Sequence, residues 1–231
     1  MQTDLSRKPD AMTDYAAART LMVETQIRTE GVTDYRIIRT MGEVPRERFV
    51  PSRARPFAYT DIDIAVKDDG HTRYMTRPAT LARLIQAVAI APSDFVLVVG
   101  CGTGYTAAGI ASLATSVVAL ESDEHLAQTA SATLTDLGIG NVAVVTGPLE
   151  AGYPAEAPYD VILIDGAVGF VPEALTAQLK DGGRLLAVVG YNRAASATLF
   201  TRTGDDIGHR PVFDAFVPAL PGFSRPREFV F

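Results

Sequence analysis

The stretch VLVVGCGTGYTAAG, residues 96–109, decides the fold. An apolar run of strand type breaks into a turn punctuated by Gly100, Gly102 and Gly104, and the turn opens a helix. Glycine removes the side chain where a backbone turns sharply and approaches a ligand, and the first N–H groups of the helix have no partner within it. A second apolar run, SVVALES, puts Glu121 at a strand's C-terminal end, 17 residues after Gly104. A carboxylate there accepts both hydroxyls of a ribose. The pair predicts a site for an adenosine-bearing ligand, set against the plain alternative of a structural strand–turn–helix.

The spacing narrows the ligand. A dinucleotide fold shows G-x-G-x-x-G with the pyrophosphate on the helix N-terminus, whereas here the third glycine comes one residue early. G-x-G-x-G at the end of a first strand is similar to motif I of class I methyltransferases, which bind S-adenosylmethionine, a ligand without phosphate. No Lys or Arg lies between Val96 and Ser131, in keeping with that reading. Hydride transfer from a dinucleotide stays as the alternative.

The 231 residues suffice for one α/β domain with a sizeable core and a modest extension. A formal net charge of −6 argues against a nucleic-acid partner, which needs a basic face. Basic residues cluster only locally, at Arg46, Arg48, Arg53 and Arg55 and again at Arg73 and Arg77, which reads as a solvated face or as a positive rim for an anionic acceptor. A single cysteine, Cys101, excludes an intramolecular disulfide and suits a reducing compartment. Three scattered histidines give no metal-ligand spacing, so no metal is expected. No apolar run approaches the roughly 20 residues needed to span a bilayer, and the N-terminus has no signal-peptide core. A cytoplasmic protein without membrane contact is expected; its oligomeric state stays open.

Along the chain, residues 1–12 read as a mobile tail. Residues 13–78 read as an N-terminal helical cap with an acceptor loop, and residues 79–231 as the ligand-binding domain. The cap carries helical periodicity from Asp14 to a stop at Gly31, a second helix ending at Pro45, and then a proline-broken loop over residues 45–66. A helix near residues 80–90 leads into the first strand. Strands are predicted over residues 95–99, 116–120, 142–145, 161–164 and 184–189, with edge strands near 197–201 and 213–217. Helices fill the gaps, one of them over residues 172–179, with Asp181–Gly183 as a helix stop. The alternation predicts a Rossmann-like α/β fold: a mostly parallel, seven-stranded sheet with helices on both faces and the N-terminal cap. The ligand crevice lies past the C-terminal strand ends.

Several blocks together resemble the protein-L-isoaspartate O-methyltransferase family. They are MVETQIRTEGV, VPRERFVP at 44–51, AYTD at 58–61, the glycine turn, APYDVILIDGAVGFVPEALTAQLKDGGRLLAVVG at 157–190, and FVP at 216–218. The resemblance implies S-adenosylmethionine as donor, S-adenosylhomocysteine as product, and a carboxylate of a damaged aspartyl residue in a peptide or protein as acceptor. It assigns the donor to Gly100, Cys101, Gly102, Thr103, Gly104 and Tyr105, to Glu121 and Ser122, to Leu149 and Glu150, and to Asp165. A carboxylate is already ionised at pH 7, so its methylation is an in-line displacement that needs alignment rather than a strong base.

Departures from the family pattern fall in the acceptor segment. Members hold the acceptor with a hydroxyl in G-x-x-T-I-S-x-P. Here GHTRYMTRP, residues 70–78, puts Thr76 at the serine position and Tyr74 at the threonine position. Thr76, Tyr74 and Asp165 are therefore expected at the reacting centre, with Arg73, Arg77 and Val168 contacting the acceptor. Val98 replaces an acidic residue and Pro148 an aspartate suited to the adenine amino group, with Glu150 two residues on as a substitute. A small-molecule acceptor, or a non-catalytic descendant that binds the donor weakly or not at all, stays as the alternative.

Overall fold

The computed structural model describes residues 14–67, 72–191 and 194–223. The expected tail over residues 1–12, Gly70 and His71 of the acceptor segment, and residues 224–231 lie outside the described residues. Asp14 opens α1 (Tyr15–Met22) by accepting the Ala17 N–H at 3.0 Å, which satisfies a donor that has no partner within the helix. The helix continues through a π turn (Val23–Ile27) and a 3-10 turn (Arg28–Glu30) and stops at Gly31, whose φ of +79° no β-carbon favours. Asp34 caps α2 (Tyr35–Glu43), which buries Ile37, Ile38, Thr40 and Met41.

The expected loop after Pro45 has more order than its prolines suggest. It forms two 3-10 turns (Arg46–Arg48 and Ser52–Phe57) and then enters an antiparallel hairpin of β1 (Ile64–Lys67) and β2 (Arg73–Met75). Strands of four and three residues carry too few alternations for a period of two to show in the sequence. The hairpin is a separate two-stranded sheet. It leads to α3 (Pro78–Val88), whose first-turn proline gives up an N–H that has no helical partner anyway.

The main sheet contains β3 (Phe95–Val99), β4 (Ser116–Glu121), β5 (Val142–Thr146), β6 (Tyr159–Val168), β7 (Leu179–Val189), β8 (Ser196–Thr203) and β9 (Asp206–Asp214). Their order is β5-β4-β3-β6-β7-β8-β9, the first five mutually parallel and β8 antiparallel to both of its neighbours, β7 and β9. Between the parallel strands run α4 (Tyr105–Ala111), α5 (Glu124–Asp136) and the short α6 (Glu173–Thr176). Several boundaries differ from expectation: β6 and β7 are longer, the helix expected over residues 172–179 ends at Thr176, and two further differences have a clear cause. The last strand lies earlier than residues 213–217 because it is a largely exposed edge strand with no apolar alternation to mark it. Asp181–Gly183 is an irregularity inside β7 rather than a helix stop: Tyr159 pairs with Leu179 and Val161 already with Arg184.

The sheet is covered on both faces, which is why its central strands read as unbroken apolar runs. Val96 and Val98 of β3 face one cluster together with cap residues such as Met22, Ile27, Met41 and Phe49. Leu97 and Val99 face the other, with Leu149, Leu175, Leu220 and Phe223. The cap thus shares a core with the sheet. From β3 the chain crosses first to β4 on one side and later to β6 on the other, and this reversal leaves a crevice at their C-terminal ends.

Candidate functional site

The glycine turn leaves β3 with the N–H groups of Gly100 and Cys101 on the Leu120 carbonyl, at 2.8 and 3.1 Å. Gly100 has φ +81°, and a β-carbon there meets both methyls of Leu220 at 2.9 Å. Gly104 has φ +97° and backs onto Ala130, whose β-carbon is 3.1 Å from where a side chain would start. Close packing of α4 on α5 explains this glycine. The side chains of the turn point away from the crevice. The Thr103 hydroxyl donates to the Phe49 carbonyl at 2.6 Å, and Tyr105 is buried edge-on against Phe49. Burial, with Glu121 and Asp165 nearby, pushes the Cys101 thiol well above its ordinary pKa, so Cys101 is an inert packing residue. What the turn presents to a ligand is backbone.

At the end of β4, Glu121 is fully buried. Its Oε2 accepts the Gly102 N–H at 2.8 Å, and its Oε1 accepts the N–H groups of Ser122 and Asp123 at 2.8 and 3.1 Å. Against it lies Arg73 of β2, with Nη1 2.5 Å from Oε1 and Nη2 2.9 Å from Oε2. The two side chains are 6% and 0% exposed, a desolvated bidentate pair. A second ion pair, Lys67 with Asp123, ties the same hairpin to the start of α5.

Deeper in the crevice Asp165 of β6 accepts two hydroxyls: Thr76 at 2.9 Å on Oδ1 and Thr106 at 2.5 Å on Oδ2. Burial raises its carboxyl above the usual carboxylate range; the two hydroxyls and the charges of Arg73 and Arg46 pull the other way. Arg46 is fully buried. It donates Nε to the Ala58 carbonyl at 2.8 Å and Nη2 to the Thr76 carbonyl at 2.7 Å, and lies over the Tyr105 ring at 4.6 Å from its centroid. It pins the backbone of the residue whose hydroxyl faces Asp165.

The structure therefore brings together the glycine turn, Glu121, Ser122, Arg73, Thr76 and Asp165. It separates others. The alternation of β2 turns Tyr74 to the exposed side while Arg73 and Met75 point inward. Arg77 pairs with Asp63, Nη2 to Oδ2 at 2.7 Å, and gives its N–H to the same carboxylate at 2.9 Å. Val168 is buried in the second core cluster, as is Leu149 in the turn after Pro148. Glu150 is exposed and reaches the C-terminal segment, where a β-carbon on Gly222 would lie 2.5 Å from its Oε2. Three participants were not singled out as site residues in the sequence. Arg46 belongs to the local basic cluster that the sequence offers as a solvated face or a positive rim, but it is neither: it is buried on two backbone carbonyls and the Tyr105 ring. Thr106 follows the glycine turn directly. Leu220 belongs to a segment anchored by the Ala167 N–H on Pro218 and the Leu220 N–H on Ala167, both 2.9 Å. Its side chain fills the space beside Gly100 and Gly166.

Chemically this is a backbone-walled crevice with one buried carboxylate, held by Arg73 and three backbone N–H groups, and a hydroxyl–carboxyl pair beyond it. Among the described residues no cluster of His, Cys, Asp and Glu could hold a metal ion, and no helix is long and apolar enough to cross a membrane.

Residues 18–220 match the profile of the family described as Protein-L-isoaspartate(D-aspartate) O-methyltransferase (PCMT). A protein-L-isoaspartate O-methyltransferase of Koribacter versatilis (strain Ellin345) is 41% identical over 226 residues, covering 96% of this chain and 100% of the relative. A solved protein-L-isoaspartate O-methyltransferase superimposes with a TM-score of 0.78 at 29% identity, over 88% of this chain and 66% of that longer one. A candidate enzyme of the same name from Plasmodium falciparum, solved with S-adenosyl-L-homocysteine, shares the fold with a TM-score of 0.73 at 18% identity, over 87% of this chain and 97% of that one.

Proposed function

We propose the following division of labour on the premise that the chain belongs to the protein-L-isoaspartate(D-aspartate) O-methyltransferase family. It is an S-adenosylmethionine-dependent methyltransferase of protein repair, whose acceptor is a carboxylate of a damaged aspartyl residue in a protein or peptide. The single observation that carries the assignment to residues is the buried Glu121 carboxylate folded back onto the Gly102 N–H beside the glycine turn. The open left-handed backbone and the anionic hydroxyl acceptor fit an adenosyl group without phosphates.

S-adenosylmethionine supplies, when bound, a methyl on a positively charged sulfur; the acceptor carboxylate takes it in line with the C–S bond, whose electron pair returns to sulfur to leave S-adenosylhomocysteine and a methyl ester. The chain's residues bind and orient. Residues 100–104 give the donor a backbone wall, Glu121 takes the ribose hydroxyls, and Ser122 flanks them. Thr76 has its carbonyl held by Arg46, and its single O–H, donated to Asp165 at 2.9 Å, turns from Asp165 to the acceptor carboxylate when that group arrives. Arg77 fixes the same segment through Asp63. No residue needs to remove a proton, because the nucleophile is an anion at neutral pH.

The test is calorimetric titration with S-adenosylhomocysteine followed, in the same preparation, by labelled methyl transfer to an isoaspartyl peptide and its normal aspartyl twin. Binding with selective transfer to the isoaspartyl peptide is expected. Binding without selective transfer would overturn the acceptor, and absence of binding would overturn the donor site.

A further inference from the structure

Glu121 is the carboxylate proposed for the donor's ribose, yet its oxygens are already taken. Oε1 accepts Arg73 Nη1 and the Ser122 and Asp123 N–H groups, and Oε2 accepts Arg73 Nη2 and the Gly102 N–H. Five N–H donors and the Ser122 hydroxyl already fill the carboxylate beyond its four or so lone-pair directions, so two ribose hydroxyls can enter only in place of donors now present. The backbone donors belong to the glycine turn (Gly102) and to the turn between β4 and α5 (Ser122 and Asp123), and cannot leave without unfolding them. Arg73 can: it stands on a three-residue strand of a hairpin that is not part of the main sheet.

We infer that Arg73 is a carboxylate-exchanging residue, which holds Glu121 in the free protein, yields it to the donor's ribose, and then pairs with the acceptor carboxylate, so that donor binds before acceptor. The inference rests on the donor-site reading above. A buried guanidinium that loses its carboxylate requires another anion, and Arg73 keeps only the Gly100 carbonyl at 3.4 Å. The acceptor supplies that anion at the right place, since Arg73 lies three residues before Thr76 and its charge is felt by Asp165, the partner of Thr76. Until the donor arrives the guanidinium is neutralised by Glu121, and an acceptor carboxylate finds no cation to bind. Leu220 packs against Gly100 beside the Arg73 Nη2.

Three measurements test this. In Arg73→Ala the competitor for Glu121 is gone. If Arg73 occupies the carboxylate in nine free molecules of ten, S-adenosylhomocysteine should bind about tenfold more tightly than to the parent protein. The KM for an isoaspartyl peptide at saturating donor should rise at least tenfold, with a smaller change in kcat. Glu121→Ala should abolish S-adenosylhomocysteine binding. Unchanged or weaker binding in Arg73→Ala, with Glu121→Ala inactive in binding, makes Arg73 a mere support for Glu121 and overturns the exchange. Undiminished binding in Glu121→Ala overturns the donor-site reading itself. The third measurement needs no variant: phenylglyoxal labelling of Arg73 in the parent protein, read by peptide mass spectrometry, should be slow in the free protein, fast with S-adenosylhomocysteine, and slow again when isoaspartyl peptide is added. Equal labelling in all three states refutes the exchange even if Arg73→Ala does not fold.

Discussion

Removing either half of the Arg73–Glu121 pair should destabilise the fold, but unequally, and the inequality follows from hydrogen bonds. In Arg73→Ala the carboxylate keeps the N–H groups of Gly102, Ser122 and Asp123 at 2.8, 2.8 and 3.1 Å. Hydrogen bonds to a charged group contribute roughly 1.5–3 kcal/mol each, so the remaining anion is still well held and the loss should be about 2–3 kcal/mol. In Glu121→Ala the guanidinium keeps one contact at 3.4 Å, and three N–H groups lose their acceptor together. Breaking a buried ion pair on one side costs about 3–5 kcal/mol, and this case belongs at or above the upper end. Glu121→Ala should therefore cost ~2 kcal/mol more than Arg73→Ala. The double variant Arg73→Met with Glu121→Leu, which removes both charges, should be more stable than Glu121→Ala. Equilibrium urea unfolding at pH 7, with the slope checked for constancy between variants, measures all three. Equal losses, or a larger loss for Arg73→Ala, would show that the carboxylate depends on the guanidinium more than on the glycine turn, and the reasoning fails.

Asp165 makes a prediction about pH. Burial raises its folded-state pKa above the ordinary 3.8, so the folded protein binds this proton more tightly, and the wild type loses stability as pH climbs from that value through the raised one. Asp165→Asn, which keeps an acceptor for one hydroxyl, should be more stable than wild type at pH 7, and the advantage should vanish toward pH 4; thermal unfolding across that range reads it. Thr76→Ser retains the hydroxyl and should keep kcat/KM for an isoaspartyl peptide within about threefold, whereas Thr76→Val should lower it by roughly 10–100-fold, an effect of about 1.4–2.7 kcal/mol. Steady-state kinetics separates the two, and equal activities would remove Thr76 from the acceptor site. Gly100→Ala meets Leu220 at 2.9 Å as well as backbone strain, while Gly102→Ala, with nothing within 4 Å, meets strain alone. Chemical denaturation should show the first losing at least ~1 kcal/mol more than the second.

Much of the molecule was legible in the chain because its signals are local. Gly31, Asp34, Pro45 and Pro78 mark helix ends through backbone chemistry that each residue carries wherever it stands. The apolar runs of β3, β4 and β6 announce strands buried on both faces, and the three glycines with Glu121 behind them are what the proposed adenosyl site rests on. The β1–β2 hairpin stayed hidden because its strands are too short to show a period, and the last strand is placed several residues late because an exposed edge strand has no buried face to pattern.

The partners in the site were decided by the tertiary structure alone. Sequence spacing put Arg73, Tyr74, Thr76 and Arg77 in one acceptor segment, but only the alternation of β2 and the docking of the hairpin send Arg73 to Glu121, Tyr74 to the exposed side and Arg77 to Asp63. The pairs 73–121, 76–165 and 46–76 join residues 48, 89 and 30 positions apart. Local chemistry sets what each residue can bond to; packing of the cap onto one sheet face sets which of those groups it meets once water is excluded.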